Sequence, residues 1–293
     1  MKTMIGIPAH NEENNIEKLL IFLIENCVDE DDSIYVVSSG SKDRTNDIVM
    51  HYSNNFSNVN LIVEDERNGK ASAFNILLEI LEENYEILVY MGADNIPEKK
   101  SIQLLINQLE GKKIDAVGGR PVPVNYKGGI QGFFAHLLWN LHHLYSLEYP
   151  KISGELMAFR KGVMQKLPVK VVNDDLYIQR MLEKSEYNLK YIPDAIVYLK
   201  GPETISDFLR QRRRIFTGHL QIKALFKKEV ETMRVPNFNM LRQACPYFGV
   251  KGSIYALLFV LAHAFAYVLS LWDYNRMKIP YKWDMVKTSK VLD

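Results

Sequence analysis

The 293-residue sequence has little cysteine, almost no net charge and no apolar run near its start. Its two cysteines, Cys27 and Cys245, are too few and too far apart for a disulfide framework or a zinc site. A reducing compartment fits, with both thiols as buried filler. A formal net charge of +1 gives no overall basicity, and no nucleic-acid partner is expected. Met1–Ile7 runs straight into Pro8 and the acidic pair Glu12–Glu13, so no secretory leader is expected. Internal repeats and low-complexity stretches are also missing. With 47% hydrophobic and 24% charged residues, the chain has a globular composition and enough length for a sizeable core.

Two local absences are more informative. Acidic residues vanish between Arg210 and Lys228, where seven Lys or Arg form a basic stripe. Charge of any sign vanishes over the 19 residues Ile254–Trp272, a length within the ~17–25 residues that cross a bilayer. Tyr255, Tyr267 and Trp272 sit towards its edges, as interfacial aromatics do. A buried core helix is the ordinary alternative. Lys282, Lys287 and Lys290 add to a basic tail that resists translocation, so a shallow, monotopic arrangement competes with a span. Ile130–Leu147 is a second uncharged run, interrupted by Gln131, His136, Asn140, His142 and His143. It reads as a partly buried or interfacial helix, its histidines structural rather than metal-binding.

What is present in the first half is alternation. Strand-like runs at Thr3–Ile7, Ile34–Ser38, Leu61–Glu64, Ile87–Met91 and Ala116–Gly118 alternate with helical patterns. The helices are expected at Glu13–Cys27, Thr45–Tyr52, Ala71–Glu83 and Lys99–Leu109. The pattern predicts an α/β fold, a mostly parallel, Rossmann-like sheet between helices, with ligands at the carboxyl ends of the strands.

The unusual residues fall at those ends. After the first strand comes Pro8-Ala9-His10-Asn11-Glu12-Glu13, in which Asn11 or Glu12 could simply cap the next helix. After the second comes Ser39-Gly40-Ser41-Lys42-Asp43-Arg44-Thr45, a helix start with amides for anions or ribose. After the third comes Gly69-Lys70-Ala71, where a lysine at a helix start suits a diphosphate; a plain turn with a solvated lysine is as common. The fourth strand empties into Gly92-Ala93-Asp94. A carboxylate ending a central apolar strand is costly unless a cation or donors satisfy it. Asp94 is therefore the expected ligand for Mg²⁺ or Mn²⁺ bridging the two phosphates of a nucleotide-sugar.

In this order the four segments resemble glycosyltransferase family 2, with its motifs Pro-x-x-Asn-Glu, Asp-Gly-Ser-x-Asp-x-Thr, Gly-Lys-x-x-Ala-x-Asn and Asp-x-Asp. Here they read Pro8-x-x-Asn11-Glu12, Ser39-Gly40-Ser41-x-Asp43-x-Thr45, Gly69-Lys70-x-x-Ala73-x-Asn75 and Gly92-x-Asp94. Ser39 and Gly92 depart from the pattern, which leaves the base open and puts the metal burden on Asp94. The resemblance implies the A-type nucleotide-sugar fold, with donor contacts from Pro8, Ala9, Asn11, Glu12, Ser39, Asp43, Gly69, Lys70 and Asp94.

Downstream, Ser153-Gly154-Glu155 before Leu156–Arg160 resembles the family's acceptor-side segment, with Gly154 at the site. Asn173-Asp174-Asp175 resembles its acidic pair. The resemblance makes Asp174 the catalytic base and Asp175 the second choice; an ordinary helix cap is the competing account. Gln211-Arg212-Arg213-Arg214-Ile215 resembles the Gln-x-x-Arg-Trp motif of membrane-bound members. That implies Gln211 and Arg214 facing donor diphosphate and acceptor, with neighbouring cations on anionic headgroups.

The implied division is a catalytic domain over 1–228, its donor half at 1–119 and its acceptor half at 120–228. A C-terminal helical, membrane-associated segment over 229–293 follows. The implied reaction is inverting transfer of a hexose from a UDP- or GDP-linked donor to an acceptor hydroxyl or phosphate. The acceptor is a lipid-linked molecule or glycan at the cytoplasmic face of a membrane. A sugar-phosphate nucleotidyltransferase would need a basic, glycine-rich loop after the first strand, which Pro8–Glu13 lacks. A non-catalytic nucleotide-sugar-binding module is the alternative of a different class, and Gly92 is the residue that favours it.

Overall fold

The computed structural model describes residues 1–281 apart from positions 30, 112, 231, 232, 234, 235, 248 and 280. The tail cations Lys282, Lys287 and Lys290, and the end of the 229–293 segment, lie outside the described residues.

Strands β1 (Thr3–Ala9) and β4 (Ile87–Met91) are buried along their whole length, as strands covered on both faces must be. Beside them run β2 (Ser33–Ser39) and β3 (Val59–Glu64). Helices α1 (Ile16–Asn26), α2 (Thr45–Asn55), α3 (Lys70–Asn84) and α4 (Ser101–Glu110) cover this half. α1 buries Ile16, Leu19, Leu20 and Leu23, the i, i+3, i+4, i+7 stripe that makes an amphipathic helix.

The chain goes on through β5 (Ile96–Pro97), β6 (Ala116–Pro123), α5 (Ile130–Glu148), β7 (Leu156–Arg160), α6 (Asp174–Lys184) and β8 (Leu189–Leu199). It ends in α7 (Ile205–Phe226), α8 (Phe238–Ala244) and α9 (Val250–Asn275).

All eight strands form one sheet in the order β3-β2-β1-β4-β7-β6-β8-β5. Only β7 and β5 run against the others, so the expected mostly parallel sheet is observed with two reversals. The reversal at β7 shapes the site. Antiparallel pairing of Met91 with Leu156 sets the segment entering β7 beside the segment leaving β4. The order also reverses beside β1, where open α/β sheets form their ligand crevice.

One expectation about the first helix is overturned. α1 begins at Ile16 rather than Glu13, and neither Asn11 nor Glu12 caps it. Asn11 has φ +52 and belongs to a turn, while Asn15 holds the cap position. The carbonyl of Glu12 accepts from the amides of Asn15 and Ile16, each at 2.9 Å, which forms the turn that delays the helix.

α9 lies along α7 and α5. It buries Gly252, Phe259, Ala266, Ser270 and Asp273, a stripe in steps of seven, seven, four and three residues running down one face. Phe133, Phe134 and Leu137 of α5, Phe208 of α7, Ala244 of α8 and Phe259 of α9 share one apolar cluster. The opposite face of α9 exposes Ile254, Leu257, Leu261, Phe265, Val268 and Trp272.

Candidate functional site

The first two strand-end loops are fastened together. Asn11 N donates to Ser41 Oγ (3.1 Å), and its Oδ1 accepts from Lys42 N (2.8 Å). Glu12 N donates to Thr45 Oγ1 (2.7 Å), and Glu13 N donates to Asp43 Oδ2 (3.1 Å). Asp43 Oδ1 accepts from both the amide and the hydroxyl of Thr45, so both carboxylate oxygens of Asp43 serve the loops themselves. Pro8 and Ala9 are the buried last residues of β1 beneath this junction.

The third loop is tied on by Ser39, whose Oγ accepts from Asn68 N (2.9 Å) and donates to Glu66 O (3.4 Å). Gly40 stands at φ +61 where any side chain would collide with the backbone of Arg67, so glycine is required on both counts. Gly69, at φ +89, then turns the chain into α3, whose first residue is Lys70.

Asp94 is half-buried just beyond β4. Next to it, the buried Asn95 donates from Nδ2 to Glu155 O (3.2 Å), linking the exit of β4 to the entry of β7. Gly154 lies at the same place; a methyl on it would sit 3.8 Å from Asp175 Cβ.

Asp174 opens α6 and is 4% exposed. Tyr90 of β4, fully buried, approaches Asp174 Oδ2 with its hydroxyl at 3.5 Å. The start of α6 is held by α7. Asn173 Nδ2 donates to Ile215 O (3.0 Å), and Val172 N donates to Gln221 Oε1 (3.0 Å). Gly218 leaves room for Asn173, whose carboxamide any β-carbon there would strike.

Three carboxylates and four basic groups meet here. Burial pushes the Asp174 carboxyl up; the Lys70 ammonium opposes that shift, and the charge of Asp175 adds to it. Glu155 is raised for the same first reason and then by Asp175, with Lys70 again opposing. Burial lowers Arg214 to about 9, assisted by Arg212 and Arg67 and resisted by Asp174 and Asp175. Arg212 is lowered to about 10 by burial, with Glu155 and Asp175 holding it charged. The cluster can therefore accept a proton at Asp174 and hold an anion between Lys70 and Arg214.

Not every expected residue joins it. Gln211 is half-buried on α7 and takes no part in the polar contacts described above. Arg213 does not face headgroups; its guanidinium makes a bidentate pair with Asp273 of α9, both contacts at 2.5 Å. Arg212, expected to point outward, is among the buried cations. Glu155 and Arg212, together with Arg67 and Tyr90, are residues of the cluster that motif reasoning missed. Glu155 carries a signal like that of Asp94, an acid abutting the buried apolar start of a strand. His136 and His143 are structural, contacting Asn125 O and the Tyr191 hydroxyl at 2.9 Å each.

No group of three or more metal-ligating side chains occurs among the described residues. A β-carbon at Gly92 would come within 2.9 Å of Asp94 Oδ1, so the space a second carboxylate would fill lies against Asp94. One hard oxygen ligand suits Mg²⁺ or Mn²⁺ if phosphates and water complete the shell. The residues fit a metal–diphosphate complex rather than a bare ion.

The chain aligns at 27% identity over 240 residues with the probable glycosyltransferase YdaM of Bacillus subtilis, covering 77% of this chain and 57% of that protein. Over 223 residues it is 25% identical to the poly-beta-1,6-N-acetyl-D-glucosamine synthase of Staphylococcus epidermidis, covering 72% of this chain and 53% of that one. It thus spans just over half the length of these relatives.

Among solved structures, mannosyltransferase PcManGT of Pyrobaculum calidifontis, with GDP-Man and Mn²⁺, superposes with a TM-score of 0.62 at 19% identity. That match covers 98% of this chain and 82% of the other. TarS of S. aureus with UDP-GlcNAc gives a TM-score of 0.52 at 18% identity, covering 94% and 92%. These likenesses show the fold. Residues 4–160 match the model of glycosyl transferase family 2, and residues 87–276 match that of glycosyl transferase family group 2. More than half of the sequence is thereby accounted for, and the chain belongs to glycosyltransferase family 2.

Proposed function

We propose that this chain transfers a hexose, with inversion, from a UDP- or GDP-linked sugar to an acceptor held at a membrane surface. What supports the reading is the buried Asp174 acted on by Lys70 and Arg214, with Asp94 next to the Asn95 that donates to Glu155 O. The fastened loops around Asn11, Ser39 and Asp43 supply a rigid cradle for the nucleoside. Lys70 and Arg214 face the diphosphate, whose negative charge grows as it departs. Asp94 would hold Mg²⁺ or Mn²⁺, which supplies further charge neutralisation there when bound; PcManGT in its Mn²⁺ complex supports the choice of a divalent ion. Asp174 accepts the acceptor's proton, helped by burial that raises its basicity. A single carboxylate in that role requires no covalent sugar intermediate.

The membrane part of the proposal rests on α9. It is the one helix among the described residues long and apolar enough to cross a bilayer, yet Asp273 and Phe259 bind one face to the catalytic layers. We infer an interfacial lie, with the exposed apolar face in the headgroup–acyl boundary, on the cytoplasmic side. The Arg276 guanidinium 3.8 Å from the Trp272 ring and Lys251 by the Tyr255 ring end the helix in pairs suited to that boundary.

Titrating UDP-, GDP- and dTDP-sugars by calorimetry tests the donor assignment. One nucleotide-sugar should bind only with Mn²⁺ or Mg²⁺ and lose binding in Asp94→Ala; a folded protein that binds none of them would be a degenerate module. The acidic limb of the kcat/KM–pH profile should lie above the ordinary aspartate range. Because Lys70 opposes the rise of the Asp174 pKa, Lys70→Met should move that limb to higher pH, and an unmoved limb would exclude Asp174 as the titrating base. In flotation with anionic vesicles the intact protein should rise with the lipid, and Leu257→Glu with Leu261→Glu should leave it at the bottom. Free sedimentation of the intact chain would reject the interfacial role of α9.

A further inference from the structure

Three arginines stand in a row on α7, and the helix turns them in three directions. Successive residues of an α-helix lie about 100° apart around its axis, so Arg212, Arg213 and Arg214 do not share a face. Arg214 lies on the side that meets the start of α6. There Gly218, four residues on, leaves room for the Asn173 carboxamide, and Gln221, three further, accepts from Val172 N at 3.0 Å. Arg213 lies on the side that meets α9. Its guanidinium makes two contacts of 2.5 Å with the Asp273 carboxylate. Phe216, three residues on, has its ring 5.7 Å from that of Tyr267 and 5.9 Å from that of His263.

Charge alone does not choose this arrangement. Turning α7 by one residue would offer the acids another arginine of the same charge and length. The tolerance is nonetheless small, because a β-carbon at position 218 would come within 2.5 Å of the Asn173 carboxamide. A fraction of a turn therefore presses the neighbours of Gly218 on Asn173 and swings Arg214 aside. Apolar ring contacts such as those of Phe216 are weakly directional and permit sliding. A guanidinium–carboxylate fork is planar and closes in one orientation. The Asp273 side chain is 12% exposed and that of Arg213 36%, a half-buried setting in which an ion pair is better suited to fixing register than to adding stability.

We propose that Asp273, through its fork with Arg213, sets the rotation of α7 that presents Arg214 to the donor diphosphate. Asp273 and Arg213 are then positioning residues for transfer, acting through Arg214. The inference rests on the glycosyltransferase reading above and adds to it two residues outside the donor and acceptor contacts.

The test compares variants of the full chain in detergent, with kcat measured for transfer from the nucleotide-sugar that the wild type uses. Asp273→Asn keeps the shape of the side chain and loses its charge and one acceptor oxygen. Arg213→Lys keeps the charge and loses the fork, and is the milder change should Asp273→Asn misfold. Each should lower kcat at least about tenfold, while Asp273→Glu, which keeps the fork, should stay within about threefold of wild type. Because the effect runs through Arg214, adding Asp273→Asn to Arg214→Gln should cost less than about threefold. Amide exchange reads the same rotation without any substrate: Val172 N, held by Gln221, should exchange at least about threefold faster in Asp273→Asn. Wild-type kcat in Asp273→Asn, an equal loss in both backgrounds, or unchanged exchange at Val172 overturns the proposal. A wild type that turns over no nucleotide-sugar would instead remove the glycosyltransferase reading, and the exchange measurement would still decide whether Asp273 holds α7.

Discussion

A carboxylate taken out of water must find cations or lose its charge, and most of this structure answers that requirement for Asp174. Its neighbours come from distant parts of the chain: Tyr90 from the fourth strand, Lys70 from the start of α3, Arg214 from α7. β4 and the start of α3 bring the first two, and α7, which grips the start of α6, brings the third. The arginines carry the reciprocal cost, since burial holds Arg212 and Arg214 below their ordinary range even beside three acids. An anion entering between Lys70 and Arg214 would relieve part of that cost, which suits the position to the proposed diphosphate.

Rigidity around this centre is built from backbone contacts. The loops after β1, β2 and β3 donate amides to one another's side chains, with Asn11, Asp43, Thr45 and Ser39 as the acceptors. Several residues read as donor contacts in the sequence therefore have a second role, fixing the cradle in which a nucleoside would lie. α7 does the same for the acid, gripping Asn173 and Val172 immediately before Asp174. Substitution at Gly218 would push on that grip and move the acid with it.

The donor half was legible because parallel strands and amphipathic helices write strong periodicities. Ile87–Met91 has the expected bounds, and β1 to β3 extend their expected cores by a residue or two. Helix starts were less legible: Asn11 and Glu12 carry capping chemistry, yet a left-handed Asn11 spends it on the neighbouring loop. The eleven-residue β8 left no signal, since Lys190, Pro193 and Asp194 interrupt its apolar pattern. The basic stripe misled for a related reason. Charge counts cannot say that Arg213 has a partner sixty residues later in Asp273, nor that Arg212 turns inward to Glu155. Long-range pairing decides which cations of a run are structural, which face chemistry and which face solvent.

The central claim is that the buried carboxylate at the head of α6 takes the acceptor's proton while leaving the donor to its own cradle. Asp174→Asn keeps the shape and hydrogen-bonding edge of the side chain and removes its basicity. Measured side by side, transfer activity should fall by about 10²–10⁴-fold in this variant while affinity for the nucleotide-sugar stays within error. Activity near that of the wild type would contradict the account, and would move the proton acceptor to Asp175 or Glu155.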